Sequence, residues 1–421
     1  MAGPEQPDPA NIAKILLSRH DLELVSCTTL QTLWAGYGKI SAITARATTD
    51  EAAIYVSKLC GLEPRGAGST YPLILKLISP PPSQEGAEEE GHLRKMLSYK
   101  VEQYFYSDAV PLLGDEVSVA KLLASTRGDD ELAGSGLIAT IMVDLRPAFP
   151  VTGGKRSVLD SVQVHAALEW LAGFHRRSWA LVSGDLKEYI LPPFEELARR
   201  RRTGGGGTGL WLNGGYTYLT TRWTEYLWLS ESDSEWRDAL CSLMPEADIR
   251  VSVAMVVALF LMPCGRAIES YIHGDVKSEN LFTTRDGDRV VFFDFQYVGL
   301  GLGVCDLAKL FTCSVPMHML IETEVLPKKL SMCEGEKVLL QRYHTSLVQH
   351  KDPGFYPWDE FIRHWETALV DWCRFQASWG FWGNTEWLEA RVRSILDDQE
   401  WRDWLLKSVD LGDIGKIAIL R

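Results

Sequence analysis

The chain has 421 residues, of which 46% are hydrophobic and 24% are charged, as expected for a globular protein large enough for two folding units. Its formal net charge of -13 argues against general nucleic-acid binding, because phosphate contacts need clustered Lys and Arg. The eight cysteines form no CxxC pair, which argues against a zinc ribbon or a redox motif.

Two further features bear on location. The segment 1–10 lacks the basic start and apolar run of a signal peptide. We expect the scattered cysteines to be reduced and mostly buried, which suits a reducing compartment and therefore a cytoplasmic protein. The longest apolar run, 251–262, is too short to span a bilayer, which takes about 20 residues as a helix. We therefore expect this run to be a buried helix and the protein to have no membrane span.

Strand patterns dominate the beginning of the chain. After a polar tail and a first helix within residues 1–20, the predicted strands are 28–34, 40–47, 71–78 and 137–143. Three consecutive prolines followed by acidic residues predict an exposed loop over 79–91. Apolar residues at helical spacing predict a helix over 92–106.

Helical patterns dominate the rest of the chain, over 159–179, 249–262 and 360–376, with a short strand pair between 281 and 293. The four arginines and the TGGGGTG run of 199–209 predict a solvated flexible loop, with a nuclear address as the alternative. The sequence predicts an α+β protein with an N-lobe (1–145) and a C-lobe (146–421), and a cleft at their junction.

The chemically informative stretch lies at 271–310. It contains His273-Gly-Asp275, then Asn280, then Asp294 at the start of Asp-Phe-Gln. Phosphoryl transfer needs a carboxylate to orient the attacking hydroxyl, a role open to Asp275, and oxygen ligands for magnesium, a role open to Asn280 and Asp294. Alone, such residues are commonly helix caps or turn residues, but the ordered set favours a catalytic function.

The predicted hairpin supports this grouping. Apolar segments at 281–284 and 289–293 flank the turn signal Arg-Asp-Gly-Asp. A hairpin brings the residue before its first strand close to the residue after its second strand. We therefore expect Asn280 and Asp294 to meet at the open end of the hairpin, a few residues from Asp275.

This segment resembles the catalytic core of the aminoglycoside phosphotransferase and choline kinase superfamily. The HGD and DFQ spellings, with the motifs 171–176 and 303–308, are similar to its ecdysteroid-kinase-like branch. The resemblance spans about 30–310 and implies a two-lobed protein-kinase-like fold that uses ATP and Mg²⁺. It implies that Asp275 is the catalytic base and that Asn280 and Asp294 hold magnesium. His273 and Asp306 resemble the hydrogen-bonding residues beneath the loop.

The resemblance also assigns residues of the first lobe. Lys76 shares a strand face with Ile74 and Ile78, an awkward core position unless its ammonium has a partner. In kinase folds the corresponding lysine contacts ATP phosphates and pairs with a helix glutamate, for which Glu102 fits. The alternatives are that Lys76 reaches solvent at a strand edge, or that one of the glutamates at 88–90 is the partner.

Three weaker candidates complete the site. Gly36 and Gly38, between the first two strands, are expected to let backbone amides approach phosphates, although hairpin turns favour glycine anyway. The segment 142–145, which contains Asp144, is the expected adenine-contacting hinge. Lys277 could neutralise the transferring phosphoryl group or could simply face solvent.

The predicted function is ATP-dependent phosphorylation of a hydroxyl on a small molecule. A protein kinase is the first alternative, but Gly274 replaces the arginine that reads a phosphorylated activation loop, and only 12 positions separate Asp294 from Asp306. A catalytically inactive nucleotide-binding scaffold is the second. It has no chemical need to retain Lys76, Asp275, Asn280 and Asp294 together.

The C-terminal region is the expected wall of the acceptor pocket. Its periodic aromatic residues predict helix packing, whereas Trp379, Phe381 and Trp382 are predicted to lie on a glycine-containing loop that contacts the acceptor. The segment 352–404 holds 11 acidic residues and 5 arginines, a net charge of -6. We therefore expect a neutral lipophilic or cationic alcohol as acceptor.

Overall fold

The computed structural model describes residues 7–80, 90–127, 137–207, 209–247, 249–323 and 325–415. Most of the predicted N-terminal tail and of the loop 79–91 lie outside these ranges. The chain divides into two compact units. Unit 1 comprises Met1–Gly114 and Val119–Pro150, and unit 2 comprises Asp115–Ser118 and Val151–Arg421.

Unit 1 is built on an antiparallel sheet with helices beside it. Its elements are α1 (Pro9–Ser18), β1 (Leu22–Thr32), β2 (Gly38–Ala47), α2 (Asp50–Leu59), β3 (Thr70–Ile78), α3 (Glu90–Tyr104), α4 (Val110–Leu113), β4 (Leu122–Ser125) and β5 (Ile138–Val143). The strands lie in the order β1-β2-β3-β5-β4. A π-helical turn, Phe105–Ala109, joins α3 to α4.

The register of the sheet fixes the position of Lys76 and its neighbours. Lys76 of β3 pairs with Ile40 of β2 on one side and Thr140 of β5 on the other. The alternate residues Leu73, Leu75 and Leu77 point to the opposite face, where they enter a fully apolar core. The sheet therefore separates one apolar face from one that carries a charge.

Two details of unit 1 differ from the sequence expectation. The predicted strand 28–34 is wrong at both ends, because β1 pairs with β2 from Leu22↔Ala47 onward and stops before a 3-10 turn at Trp34. Helix α2 is absent from the prediction although its start has a signal. The Thr49 hydroxyl accepts from the Ala52 N–H, and acidic residues follow in the first turn.

Unit 2 is mainly helical and contains two small sheets. Its elements are β6 (Val151–Thr152), α5 (Ser161–Ser178), α6 (Pro193–Thr203), α7 (Trp223–Glu231), α8 (Val253–Leu261), β7 (Ser270–Ile272), β8 (Leu281–Thr283), β9 (Val290–Phe292), β10 (Gly299–Gly301), α9 (Val304–Cys313), α10 (Glu334–Leu347), α11 (Trp358–Trp379), α12 (Thr385–Asp397) and α13 (Gln399–Lys407). The sheets have the orders β6-β8-β9 and β10-β7. Together the two units give the predicted α+β fold, strand-rich first and helical second.

Two loop predictions in unit 2 are wrong. The four arginines of the predicted 199–209 loop belong to α6, because Arg199 and Arg200 both bind the buried carboxylate of Glu196 and extend the helix to Thr203. Thr208 lies outside the described residues. Trp379 is the last residue of α11 and not part of a loop, since the helix ends only at Gly380, where φ is +133°.

The predicted buried helix and thiols can also be checked. The apolar run forms α8, whose residues are almost all buried, and no helix in the described ranges is long and apolar enough to cross a membrane. All eight cysteines are free thiols. Only Cys373 is fully buried, so the expectation that most of them are buried is wrong.

Candidate active site

The β8–β9 hairpin of unit 2 positions two of the predicted site residues. Leu281 pairs with Phe292, and the Asn280 carbonyl oxygen accepts a hydrogen bond of 3.0 Å from the Phe293 N–H. Asn280 therefore lies opposite Phe293, and Asp294 follows one residue further along. The hairpin brings Asn280 and Asp294 to its open end, offset by one residue from the predicted direct pairing.

Asp275 is held by side chains on both sides. The Asn280 amide Nδ2 donates to the Asp275 carbonyl oxygen at 2.8 Å and to its carboxylate Oδ2 at 2.9 Å. The Lys277 ammonium lies 3.1 Å from the same Oδ2. Burial alone would lower the pKa of Lys277, but its charge and hydrogen-bonding interactions with Asp275 outweigh burial and raise it. The interaction with Asp275 thus favours the charged form of Lys277 beside the carboxylate.

A buried carboxylate anchors the backbone of this loop. Asp306, at the start of α9, accepts hydrogen bonds from the His273 N–H at 2.6 Å and from the Gly274 N–H at 2.9 Å. His175 of α5 lies 3.2 Å away through Nε2, and its Nδ1 is 2.7 Å from the Tyr343 hydroxyl. Burial would raise the pKa of Asp306, but the His175 hydrogen bond and nearby positive charges lower it.

His273 links the two parts of the loop as a neutral ring. Its Nδ1 accepts from the Asp275 N–H at 3.2 Å, so its Nε2 carries the proton and donates to the Phe293 carbonyl oxygen at 2.9 Å. Burial lowers the pKa of His273, which keeps the ring in this neutral form. The loop that carries Asp275 and the hairpin are therefore tied together by one imidazole.

Gly274 is required by space and by backbone conformation. Its φ is +84°, and a Cβ at this position would lie 2.5 Å from the Tyr297 carbonyl oxygen and 2.7 Å from the Gly215 nitrogen. Neither backbone atom can move aside, so a larger residue does not fit. The position that carries arginine in protein kinases cannot accept that side chain here.

Asp294 has a left-handed backbone conformation. Its φ is 66° and its ψ is 61°, uncommon for a residue other than glycine. The Gln296 amide donates to Asp294 Oδ1 at 2.5 Å, which orients the carboxylate. Backbone of this kind is found preferentially at functional positions, and the site role of Asp294 stays a prediction.

In unit 1, Lys76 and Glu102 form an ion pair. Lys76 Nζ lies 2.6 Å from Glu102 Oε2, and the two side chains are 8% and 7% exposed. Of the competing glutamates, Glu90 pairs with Arg94, whereas Glu88 and Glu89 lie outside the described residues. Lys76 does not reach solvent at a strand edge, because β3 is an interior strand of the sheet.

The remaining candidates of unit 1 have structural explanations of their own. Gly38 is required because a Cβ there would lie 2.1 Å from the Leu77 carbonyl oxygen, whereas Gly36, at φ +73°, has open space. The Asp144 carboxylate is held by Arg146, whose Nη2 lies 2.7 Å from Oδ2. The site roles of these three residues therefore stay predictions.

An aromatic cluster near Asp275 was absent from the prediction. The Tyr216 ring lies 4.8 Å from Tyr297 and 5.8 Å from Phe375, and the Arg222 guanidinium lies over Tyr216 and Trp379. Burial, followed by the charge of Asp275, raises the pKa of Tyr216 well above its usual range. Tyr216 precedes the catalytic motif by a long stretch of chain, so no local pattern links it to Asp275.

Comparisons with known proteins place this geometry in context. The sequence matches none of the curated proteins with which it was compared. Solved structures similar to it include macrolide 2'-phosphotransferase MphH from Brachybacterium faecium, at 14% identity over 96% of this chain and 97% of that chain, with a TM-score of 0.39. Plasmodium vivax ethanolamine kinase matches at 11% identity over 93% and 87%, with a TM-score of 0.38.

Choline kinase LicA from Streptococcus pneumoniae matches at 12% identity over 94% of this chain and 96% of that chain, with a TM-score of 0.35. Similarity at this level carries no conclusion about substrate. The assignment depends instead on the model of the phosphotransferase enzyme family, which matches residues 65–319 and thus more than half of the sequence. The chain belongs to the phosphotransferase enzyme family.

Proposed function

We propose that this protein is an ATP-dependent O-phosphotransferase that acts on a hydroxyl of a small molecule, with Asp275 as the catalytic base. The observation that carries the proposal is the restraint on Asp275. Its carboxylate is only partly buried, yet Asn280 and Lys277 fix its position. Asp306 anchors the backbone N–H groups of the two preceding residues. A carboxylate held this way is preorganised to receive a proton.

In the proposed reaction, the acceptor hydroxyl oxygen attacks the γ-phosphorus of ATP and gives its proton to the Asp275 carboxylate. The new bond joins the acceptor oxygen to phosphorus, and the bond between the γ-phosphorus and the bridging oxygen breaks, releasing ADP. Lys277, 3.1 Å from Asp275, would stabilise negative charge on the transferred group. No covalent intermediate with the protein is required.

Magnesium fits the residues at the end of the hairpin. Within the described residues no group of three or more His, Cys, Asp or Glu side chains is suited to a metal, but Mg²⁺ commonly uses one or two protein oxygens together with phosphates and water. Asp294 supplies a carboxylate, and the Asn280 amide keeps its oxygen available because its nitrogen donates to Asp275. Bound there, magnesium would neutralise the phosphates.

Lys76 would bind the phosphates of the nucleotide. Its ammonium is buried and paired with Glu102, which holds it in one position instead of letting it fold back on its flexible stem. Gly36, Gly38 and Asp144 are proposed to contribute to the nucleotide site through their backbone. The motif spellings further support placing the chain in the ecdysteroid-kinase-like branch of the family.

Two other functions are less well supported. A protein kinase would need an arginine where only glycine fits, since a Cβ at Gly274 meets the Tyr297 carbonyl oxygen. An inactive scaffold would not need the ordered set of Asp275, Asn280 and Lys277 around one carboxylate oxygen. Phosphorylation of casein or histone would favour the first, and ATP binding without turnover would favour the second.

The proposal is tested by incubating the protein with Mg-ATP and a broad panel of alcohols and following the mass gain of one phosphate. The Asp275→Asn variant should remain folded but lose about 10²–10⁴-fold in turnover, the usual contribution of a general base. Undiminished turnover in this variant would show that Asp275 is not the base. Asp286→Asn, in the hairpin turn, is the matched control and should keep normal activity.

A further inference from the structure

A small cavity in unit 2 contains two charged side chains that the proposed reaction does not use. Its volume is about 40 Å³, and it lies among residues of the segment 213–220 and of helices α8, α9 and α11. Lys309 of α9 and Asp371 of α11 both line it. None of its lining residues belongs to the set around Asp275 described above.

Lys309 is the unusual member of this cavity. The residue is 5% exposed, and within the described part of the chain no hydrogen bond or ion pair engages its ammonium. Its Nζ lies 5.9 Å from the centre of the Trp372 ring, and its charge also acts on the buried Asp306 carboxylate three residues earlier, with which it forms no ion pair. An ammonium removed from water is expensive unless a negative or hydrogen-bonding group compensates it.

Further donors without partners adjoin the cavity. Trp372 lines it, and its buried indole N–H has no hydrogen-bond partner among the described residues. The same is true of one guanidinium nitrogen of Arg374, Nη1. Arg374 Nη2 binds Asp371 Oδ1 at 2.7 Å, so the one carboxylate that lines the cavity already has a counter-charge. At or beside the cavity, the described residues therefore leave donor groups without hydrogen-bond partners and an ammonium without an ion pair.

The cavity also lies close to the catalytic loop. A Cβ on Gly215 would be 3.0 Å from Lys309 Nζ and 3.5 Å from the carbonyl oxygen of Gly274. Both groups thus approach the same point, and Gly274 directly precedes Asp275. A group bound by Lys309 would belong to a molecule whose other end is near the proposed base.

We infer that this cavity binds the carboxylate of the acceptor, so that the substrate of the proposed phosphotransferase is a hydroxy acid. A water needs about 10–15 Å³ of such volume, so a cavity of 40 Å³ has room for roughly three small heavy atoms, the size of a carboxylate. This volume suits a carboxylate better than a phosphate or sulfate. The claim that the hydroxyl of this acid is phosphorylated rests on the proposed function. The claim that the cavity binds the carboxylate does not.

An acceptor with a carboxylate differs from the neutral or cationic acceptor that the acidic composition of 352–404 predicts. Many of those acids are neutralised locally, because Asp371 pairs with Arg374, Glu366 and Asp398 pair with Arg363, and Glu389 approaches Arg393. A net charge counted along the sequence therefore does not give the potential at the cavity. Of the two charged residues that line the cavity, Asp371 has an ion-pair partner and Lys309 has none among the described residues.

The experiment measures binding of hydroxy acids directly, by calorimetry or ligand-detected NMR without ATP. The probes are 2-, 3- and 4-hydroxy acids of two to six carbons, each compared with its neutral amide. We expect at least one acid to bind about 10-fold or more tightly than its amide. Lys309→Met should weaken that acid by roughly 10- to 100-fold, the worth of a hydrogen bond to a charged group, and leave the amide unchanged.

Two further variants separate a binding role from a folding defect. Asp371→Asn removes negative charge from the cavity and should strengthen binding of the acid, an effect that misfolding cannot produce. Lys337→Met removes an exposed lysine that lies 3.9 Å from Glu334 and should change nothing. Equal affinities for acid and amide, unchanged affinity in Lys309→Met, or no binding of any acid would overturn the inference.

Turnover with ATP is measured separately, so the two proposals can fail separately. Phosphorylation of neutral alcohols alone would reject the carboxylate site and leave the phosphotransferase intact. Lys309-dependent binding of an acid without any Asp275-dependent phosphorylation would support the cavity and reject the proposed reaction.

Discussion

Each unit contains one candidate ion pair, and the two pairs are built differently. Lys76 and Glu102 of unit 1 are 2.6 Å apart with side chains 8% and 7% exposed, held by a strand and a helix. Lys277 and Asp275 of unit 2 are 3.1 Å apart with side chains 29% and 14% exposed, and they lie on a loop. The first pair is enclosed by regular structure, whereas the second is more open to solvent.

This difference indicates how each unit positions a charge. In unit 1, the lysine and the glutamate stabilise each other, because neither has much contact with water. In unit 2, the partly exposed Asp275 carboxylate depends on hydrogen bonds within its loop, above all those accepted by Asp306, which is completely buried. Removing Lys76 or Glu102 should therefore destabilise unit 1 directly. In unit 2, the loss of Asp306 should reduce stability more than the loss of Lys277 or Asp275.

The largest expected effect is that of Asp306→Ala. The substitution removes the acceptor for the His273 and Gly274 N–H groups and for His175, so about 4–6 kcal/mol of stability should be lost at roughly 1.5–2 kcal/mol per charged hydrogen bond. Denaturant unfolding measures the loss. Asp306→Asn keeps one acceptor oxygen and should lose less. Equal stability of Asp306→Ala and wild type would contradict the anchoring role.

The next effect is that of Glu102→Ala, which leaves the Lys76 ammonium buried without its carboxylate. We expect a loss of about 3–5 kcal/mol, the usual result of removing one partner of a buried pair. The double variant Lys76→Met with Glu102→Leu should recover most of the stability, because an apolar pair removes both charges. It should still fail to bind ATP. A double variant as unstable as the single one would mean that the pair does not act as a unit.

Lys277→Met should affect rate more than stability. The ion pair with Asp275 is partly exposed, so its loss should cost less than about 1 kcal/mol in thermal or denaturant unfolding. Turnover should fall by about 10- to 100-fold if the cation stabilises the transferred group. Unchanged turnover would mean that Lys277 does not stabilise the transferred group and only faces solvent.

The smallest effect is expected for the aromatic residues at the end of α11. Trp379 is exposed and stacks on Phe375, and the Trp382 ring lies 5.9 Å from the same residue. Replacing both tryptophans by Ala should raise the acceptor KM by about 10-fold, near the upper range of one aromatic contact, and leave the KM for ATP unchanged. Trp228→Ala, at another exposed tryptophan, is the control. An unchanged acceptor KM would exclude this surface from the acceptor site.

Much of the fold could be predicted where local pattern and final structure agree. The strands β2, β3 and β5 and the helices α5 and α11 follow period-two or helical spacing, and tertiary contacts only adjust their ends. The sequence alone misplaces the ends of β1, because its length depends on pairing with β2 and not on the alternation of apolar and polar residues within the strand. The arginines of α6 were assigned to a loop because their buried partner, Glu196, cannot be recognised as buried from sequence.

The site follows the same division. Asp275, Asn280 and Asp294 lie within one short motif, so their proximity could be predicted from a hairpin. Lys309 and Tyr216 could not be identified, because their burial and their closeness to the loop arise from packing between segments distant in sequence. The lysine stands among Leu307, Ala308 and Leu310, which is the single local sign that its side chain would be buried.

The central claim is that Asp275 acts in chemistry while Asn280 and Asp294 hold the magnesium of Mg-ATP. Calorimetric titration of Mg-ATP into Asp275→Asn, Asn280→Ala and Asp294→Ala, with turnover measured on the same samples, separates these roles. We expect Asp275→Asn to bind Mg-ATP like the wild type but to have lost turnover, whereas the other two variants should bind it at least about 10-fold more weakly. Normal Mg-ATP affinity in Asp294→Ala, or normal turnover in Asp275→Asn, would contradict it.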